Sequence, residues 1–501
     1  MFLEANEFPA KLGRQGSSAV LSKSRILRVL FLFLATASFG ADSAPVDCTH
    51  LMAWIAGGVS SPKLIRVAQH RGIAFAPSQN LESELRSAGV TPDLLGALRH
   101  LRPVHGSSCP ASLVKAATLV HQKRYQLGAE LVADLLASDP QNGALHFALG
   151  YIQQQQGDWN GAFDEYSNSK EAEPDFSEIH NRLALVFYQG DDGDNAIGEA
   201  RTALSMDFQD AEAYRMLGLG HYANEQYPAA LNAFQESLAR DPGNADVYYE
   251  MGMAEQEQSA DEQAIEYFRK ALQLNAQLWQ AHSSLGSLLV KQKHFAEAIS
   301  ELNAAKHLAP NEPSIRENLA SAYYGKGDYD VAIAEYNELF KTNPGWHRGH
   351  DSFARAYMAK NEYSSAIAEL KLAVAQNPGN PGEHRALGQL LLLSGQQQEA
   401  ARELRIAVEL DPDSASSHYY LGTALLQQQQ LPPALKEFQE AVRIEPSAEH
   451  HYALAACLMS LGRDNEALAE METATRLDPS KTLYHAREEE LLRLMRSSNA
   501  R

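Results

Sequence analysis

Seven histidines recur along the chain at one position of a repeating pattern: His146, His180, His282, His350, His384, His418 and His451. Regularly spaced imidazoles can do two kinds of chemistry, metal ligation and proton exchange near pH 6. A metal needs its ligands within ~2 Å of one centre, whereas equivalent positions in stacked helix pairs stand on the order of 10 Å apart, one helix-packing distance. The ladder therefore reads as packing, each imidazole replacing an aromatic ring laid against the preceding repeat. No metal or other cofactor is expected. The sequence has no nucleophile elbow, phosphate-cradling glycine loop, dinucleotide fingerprint or HExxH pair, so no enzymatic role is expected either.

The elements that position these histidines follow from a period of 34 residues. Pro140, Pro174, Pro242, Pro310, Pro344, Pro378, Pro412 and Pro446 are separated by 34 or 68 residues, and the register slips by one to Pro479. Each period carries two helical patterns. The first is seen in Leu421 and Leu425, one turn apart beside Gly422, and the second in Ala434, Phe438 and Ala441 on one face. Turn signals such as Gly157-Asp158, Gly327-Asp328 and Gly462-Arg463 separate the two, and Asp-Pro or Asn-Pro closes each period. A leading pair at 111–140 is followed by ten repeats, numbered 1 to 10, at 141–174, 175–208, 209–242, 243–276, 277–310, 311–344, 345–378, 379–412, 413–446 and 447–479; residues 480–501 read as a capping helix and tail.

This pattern resembles the tetratricopeptide repeat. The family's Leu-Gly pair appears as Leu149-Gly150, Leu217-Gly218, Leu285-Gly286, Leu387-Gly388 and Leu421-Gly422. Its small second-helix residue appears from Ala162 to Ala467 in all ten repeats. Ala184, Ala320, Ala354 and Ala455 replace the glycine, Ala200 replaces the second-helix aromatic, and Phe208 replaces a proline. The resemblance implies an all-α, right-handed superhelical solenoid of about ten to eleven repeats, whose first helices line a concave ligand-binding face. It assigns to that face one row containing Asn181, Arg215, Tyr249, Asp351, Arg385 and Tyr419, and a second containing Tyr188, Tyr222, Tyr324 and Met358, with Lys291 and Arg355 nearby. Tyr and Arg are the side chains that anchor protein interfaces.

Composition bounds the rest. The 501 residues carry a formal charge of −20, spread as +4 over residues 1–110 and −24 over the remainder. Such a surface repels phosphate backbones, so nucleic acid is not an expected partner. Lys23, Arg25 and Arg28 precede the apolar run Val29–Ala37 and then small residues up to Ala44, the layout of a secretory leader at 1–44. A cleaved leader implies an exported, periplasmic or secreted protein without a membrane span; the alternative is an inner-membrane anchor at 27–41. In an oxidising compartment Cys48 and Cys109 can pair around the small helical domain at 46–103, closing a loop worth ~4 kcal/mol in the chain-entropy model. Cys457 falls on an apolar helix face. Residues 104–110 read as a linker.

The functional expectation is a scaffold holding a protein or peptide in the concave groove. The alternative is an assembly factor whose N-terminal helical domain does the recognising, with the array as a spacer or self-association surface. Oligomeric state stays open.

Overall fold

The computed structural model describes residues 44–76, 78–103, 109–346 and 348–499; the leader region 1–43 and most of the linker lie outside them. Among the described residues the chain is helical throughout, apart from isolated bridges in which Ile73 pairs with Val46 and Pro103. The N-terminal domain consists of α1 (Cys48–Ala56), α2 (Ser61–Arg71), α3 (Gln79–Ser87) and α4 (Pro92–His100). The leading pair, α5 (Ala111–His121) and α6 (Tyr125–Ser138), passes into repeat 1, formed by α7 (Gly143–Gln155) and α8 (Trp159–Ala172). Repeat 2 holds α9 (Ser177–Gln189) and α10 (Gly193–Met206), and repeat 3 opens with α11 (Ala211–Ala223). The same pairing continues to Asp464–Leu477 and ends on the helix Thr482–Asn499, which buries Tyr484 and Leu491 against repeat 10. This is the all-α superhelix that the resemblance implies.

Local chemistry explains why each pair forms. Asn142, Asp210, Asn244, Asn380, Ser414 and Ser447 cap first helices by accepting a hydrogen bond from a backbone N–H in the opening turn. Between the two helices one residue per period takes positive φ: Lys123, Gly157, Asp191, Glu225, Ser259, Lys293, Gly327, Asn361, Gly395, Gln429 and Gly462. Only four of these eleven are glycine, so the tight turn is imposed by the packing of both helices rather than by glycine alone. Inside a pair the approach is close. A Cβ on Gly252 would stand 2.5 Å from the Phe268 ring. In repeat 2 Ala184 takes the glycine position and the opposing aromatic has shrunk to Ala200, both fully buried.

The histidine ladder is a set of struts. In every member Nδ1 lies 2.5–2.8 Å from a glutamate nineteen residues later, on the second helix of the same repeat: Glu165, Glu199, Glu301, Glu369, Glu403, Glu437 and Glu470. In His146, His180, His282, His384 and His418 the other nitrogen meets the carbonyl oxygen of the residue six positions earlier, at 3.0–3.3 Å. A neutral ring can donate to only one of these two acceptors, so the bridge is complete in the imidazolium form. The rings are packed against the preceding repeat, His180, His350, His384 and His418 being buried and His350 stacking on Phe340 at 3.9 Å; what the sequence reading lacked is the shared hydrogen-bonded tie between the two helices and the turn before them.

Of the remaining repeats, repeat 6 keeps the glutamate and changes only the first-helix end, whereas repeats 3 and 4 change both. Arg316 bonds Glu335 at 3.1 Å, Tyr248 faces Tyr267, and Tyr214 stands nineteen residues before Ala233. A double-mutant cycle of His418→Ala and Glu437→Ala is expected to give a coupling energy of about 1 kcal/mol in chemical unfolding. Losses additive to within ~0.3 kcal/mol would mean that the pair is not a strut.

Candidate functional site: the concave face

First helices of neighbouring repeats touch one another directly, as α9 touches α11 and Trp279–Lys291 touches Pro313–Lys326. They therefore form the inner, tighter side of the curve. The N-terminal domain sits on the beginning of that side. One apolar core runs without a break from Val46 through α1–α5 into repeats 1 and 2, as far as Val186. Trp54 of α1, 1% exposed, stacks on Phe176 at 4.3 Å. Gly57 and Gly58 lie against the rings of Phe147 and Tyr151 on α7, and Cys48 and Cys109 are joined by a disulfide. The segment at 104–110 thus separates the domain from the array in sequence but not in packing.

Charge fixes the join. Lys63 of α2 is 4% exposed, and its Nζ donates to Glu178 Oε2 at 2.8 Å and to Asp210 Oδ2 at 2.5 Å. Burial alone would lower the Lys63 pKa, but the two carboxylates raise it above the usual lysine value. Asp210 is lowered although burial opposes it, because Lys63 and Asn181 stabilise its charged form. Its other oxygen accepts from Glu212 N at 3.1 Å and caps α11, so one side chain serves both the join and the array. Around this pair Arg66 reaches Asp207 at 3.2 Å, Arg182 donates to Gly58 O at 3.3 Å, and His50 lies between Asp47 and Glu173.

The residues assigned to the concave face divide into two groups. Asn181 is 2% exposed and donates to Asp210 Oδ2 at 2.9 Å, so it lies beneath the N-terminal domain, where a ligand meets it only if that domain leaves. Arg215 is spent on Glu250, Nε to Oε1 at 2.8 Å, and on Glu212 at 3.1 Å. Burial pushes Glu250 up to about 7 despite that guanidinium. Tyr188 and Tyr222 share a half-buried cluster, and burial raises the Tyr188 phenol to about 12.

Farther along, the side chains stand one per repeat and are not gathered into a single site. Tyr249 packs 5.7 Å from Phe268, Tyr324 5.5 Å from Tyr329, and Tyr419 donates to Glu449 at 3.1 Å. Asp351 and Arg355 pair at 3.3 Å while about half exposed, Arg385 reaches Ser414 at 3.5 Å, and exposed Lys291 pairs with Asp261 at 2.6 Å.

Sequence reasoning missed part of the second row. Val290, Leu392, Leu426 and Met459 take the Tyr324 and Met358 position in their own repeats and are likewise half-buried. The 34-residue period alone could have found them. Also missed was the domain's grip on the array, because nothing in sequence pairs Lys63 with carboxylates 115 and 147 residues away. Cys457 is fully buried, and burial pushes its thiol pKa up. Among the described residues no three His, Cys, Asp or Glu side chains converge as a metal site would need, and no helix is long and apolar enough to cross a membrane.

His50 gives the join a pH signature. Burial would lower its pKa, but hydrogen bonds and charge from Asp47 and Glu173 outweigh that and raise it to about 10. Its contribution to stability is then fully present below the ordinary imidazole value of ~6.5 and is lost as pH rises through about 10. In an NMR titration of the folded protein the His50 ring is expected to stay protonated at pH 8. Deprotonation near pH 6.5 would contradict this electrostatic account of the join.

The tetratricopeptide-repeat family model matches in seven overlapping stretches, 215–281, 263–313, 284–345, 317–381, 352–415, 385–449 and 419–482, together more than half of the chain. No curated protein matches in sequence. Similar solved structures include yeast Tom70, 14% identical over 77% of this chain and 94% of that one, with a TM-score of 0.34. The pilF protein of Pseudomonas aeruginosa is 21% identical over 44% and 96%, with a TM-score of 0.37. YrrB, described as a TPR protein with an unusual peptide-binding site, is 20% identical over 39% and 97%, with a TM-score of 0.31. On its repeats and on the family match, the chain belongs to the tetratricopeptide-repeat family.

Proposed function

We propose that this protein is an exported, non-enzymatic scaffold that holds a segment of a partner polypeptide on its concave face, from repeat 4 onward. The family's arrays act as protein-interaction scaffolds, which is the coarse form of this reading. The observation that carries the finer form is the surface itself. Past the Arg215–Glu250 pair, the inner face keeps one half-buried apolar side chain per repeat from Val290 to Met459, beside polar groups such as Ser321, Arg355 and Gln389. Over repeats 1 and 2, and at the cap of repeat 3 through Asp210, the corresponding face already holds the chain's own N-terminal domain. That integration speaks against the domain as an independent recognition element, since Lys63, Trp54 and the apolar faces of α1 and α2 are buried in the join.

Export is supported by the leader pattern at 1–44 and by the Cys48–Cys109 disulfide, a bond that persists outside the reducing cytoplasm. The test is expression of the full chain in a bacterial host, fractionation, and mass spectrometry of the mature N-terminus and of bound polypeptides. A cut between about Ala37 and Ala44 and periplasmic recovery are expected. A stoichiometric partner is also expected, lost in Met358→Glu but retained in the outward-facing Leu372→Glu. An intact leader in the cytoplasm would overturn the export claim, and a partner indifferent to Met358→Glu would overturn the groove.

A further inference from the structure

The stretch that leads into α1 runs along the seam between the N-terminal domain and the array. Val46 is held there by two backbone hydrogen bonds, donating to Gly72 O at 3.0 Å and accepting from Ala74 N at 2.8 Å, which fixes where the two residues before it lie. Ala44 and Pro45 form one wall of a cavity of about 240 Å³, whose other walls include Trp54, Arg71 and the turn Glu173-Pro174-Asp175 that joins repeat 1 to repeat 2.

This cavity is short of positive charge. Glu173 Oε1 lies 3.3 Å from His50 Nε2, whereas its Oε2 is buried and accepts no hydrogen bond from any described residue. The carboxylates gathered here are Asp47, Glu173 and Asp175, and the cations facing them are His50 and Arg71, so these carboxylates outnumber their cations by one. A buried carboxylate oxygen without a donor is costly. The leader pattern can supply that donor. Ala41-Asp42-Ser43, directly before Ala44, has small residues at its first and third positions, as a leader peptidase requires. Hydrolysis of the Ser43–Ala44 amide consumes one water and leaves a carboxylate on Ser43, while the proton given up by that new acid ends on the Ala44 amine, which is mostly charged at neutral pH. As long as the leader is attached, the same nitrogen is an uncharged amide.

We propose that Ser43–Ala44 is the processing site of this chain and that the α-ammonium freed on Ala44 pairs with Glu173, so that removal of the leader completes the join between the N-terminal domain and the array. The inference rests on the leader reading above and makes it specific, naming the bond that is cut and the group that the new terminus binds. The pairing ties the start of the chain to the turn between repeats 1 and 2, while the Cys48–Cys109 disulfide ties the first turn of α1 to the approach to α5. The cap on the array is therefore tighter in the processed chain than in its precursor.

The test begins with the full chain, expressed with its leader in a bacterial host, and reads the mature N-terminus by mass spectrometry; Ala44 is the expected first residue. Three disulfide-bonded chains are then compared by amide hydrogen exchange at neutral pH. One begins with Ala44 and a free amine, the second is identical but N-acetylated, and the third begins with Ser43, which keeps the charge but displaces it by ~3.3 Å. The Val46 and Ala74 amides, which bond across the seam, are expected to exchange at least ~5-fold more slowly in the first chain than in either of the others. That advantage should vanish in Glu173→Gln and persist in Glu171→Gln, an exposed neighbour. A cut at another bond would overturn the pairing and leave export standing, and an intact leader would overturn both. Equal exchange in the free and acetylated chains, or an advantage that survives Glu173→Gln, would overturn the pairing even with the cut at Ala44.

Discussion

A pair of helices has no interior, so the apolar stripe of each repeat is buried only when the next repeat is laid against it. Everything else in this protein is arranged around that constraint. It requires the two helices of a pair to approach within the reach of Gly252 and Phe268, or of Ala184 and Ala200 where both sides have shrunk. It forces one residue per turn into positive φ whatever its identity, so that Glu225 and Ser259 take a conformation glycine adopts more easily. The pair is then held at a fixed angle by a polar tie, His to Glu in seven repeats and Arg316 to Glu335 in an eighth.

A stack of this kind leaves two open ends, and the chain closes them differently. The C-terminal helix Thr482–Asn499 buries Tyr484 and Leu491 and turns charged residues to solvent. The N-terminal end is closed by a four-helix domain whose core is continuous with that of repeats 1 and 2, and whose ammonium at Lys63 is trapped between two nearly inaccessible carboxylates. Removing Lys63 alone would leave Asp210 buried without a paired cation and Glu178 with Arg182 alone, at 3.0 Å, which is costlier than losing a surface pair. The inner face is thereby divided into a part closed over repeats 1 and 2 as far as Asp210 at the start of repeat 3, and a part beyond that the domain does not cover, and the functional proposal depends on that division.

Much of this was legible in the sequence. The period and the pair boundaries follow from prolines and small residues at 34-residue spacing, because the constraint they report is local, and the superhelix follows from the family that this pattern resembles. The histidines were visible and read as packing groups, but their tie was not. Their meaning lies in Glu165, Glu199 and the later glutamates nineteen positions on, and a charged residue on an exposed-looking helix position gives no sign of its partner until the helices are placed. Asn181 and Arg215 look like ligand-facing groups by register, yet α2 and Glu250 occupy them. Contacts between distant segments set by a single lysine leave no periodic trace.

Native-state hydrogen exchange, followed residue by residue in α2 and α9, tests most directly whether the N-terminal domain is an integral cap that fixes where the open face begins. The account predicts that both helices open with the same free energy and that Lys63→Met lowers the two together, by about 3–5 kcal/mol. Early, independent exchange of α2 with α9 still protected would contradict it, since the domain would then be a separable module and the face over repeats 1 and 2 would be free.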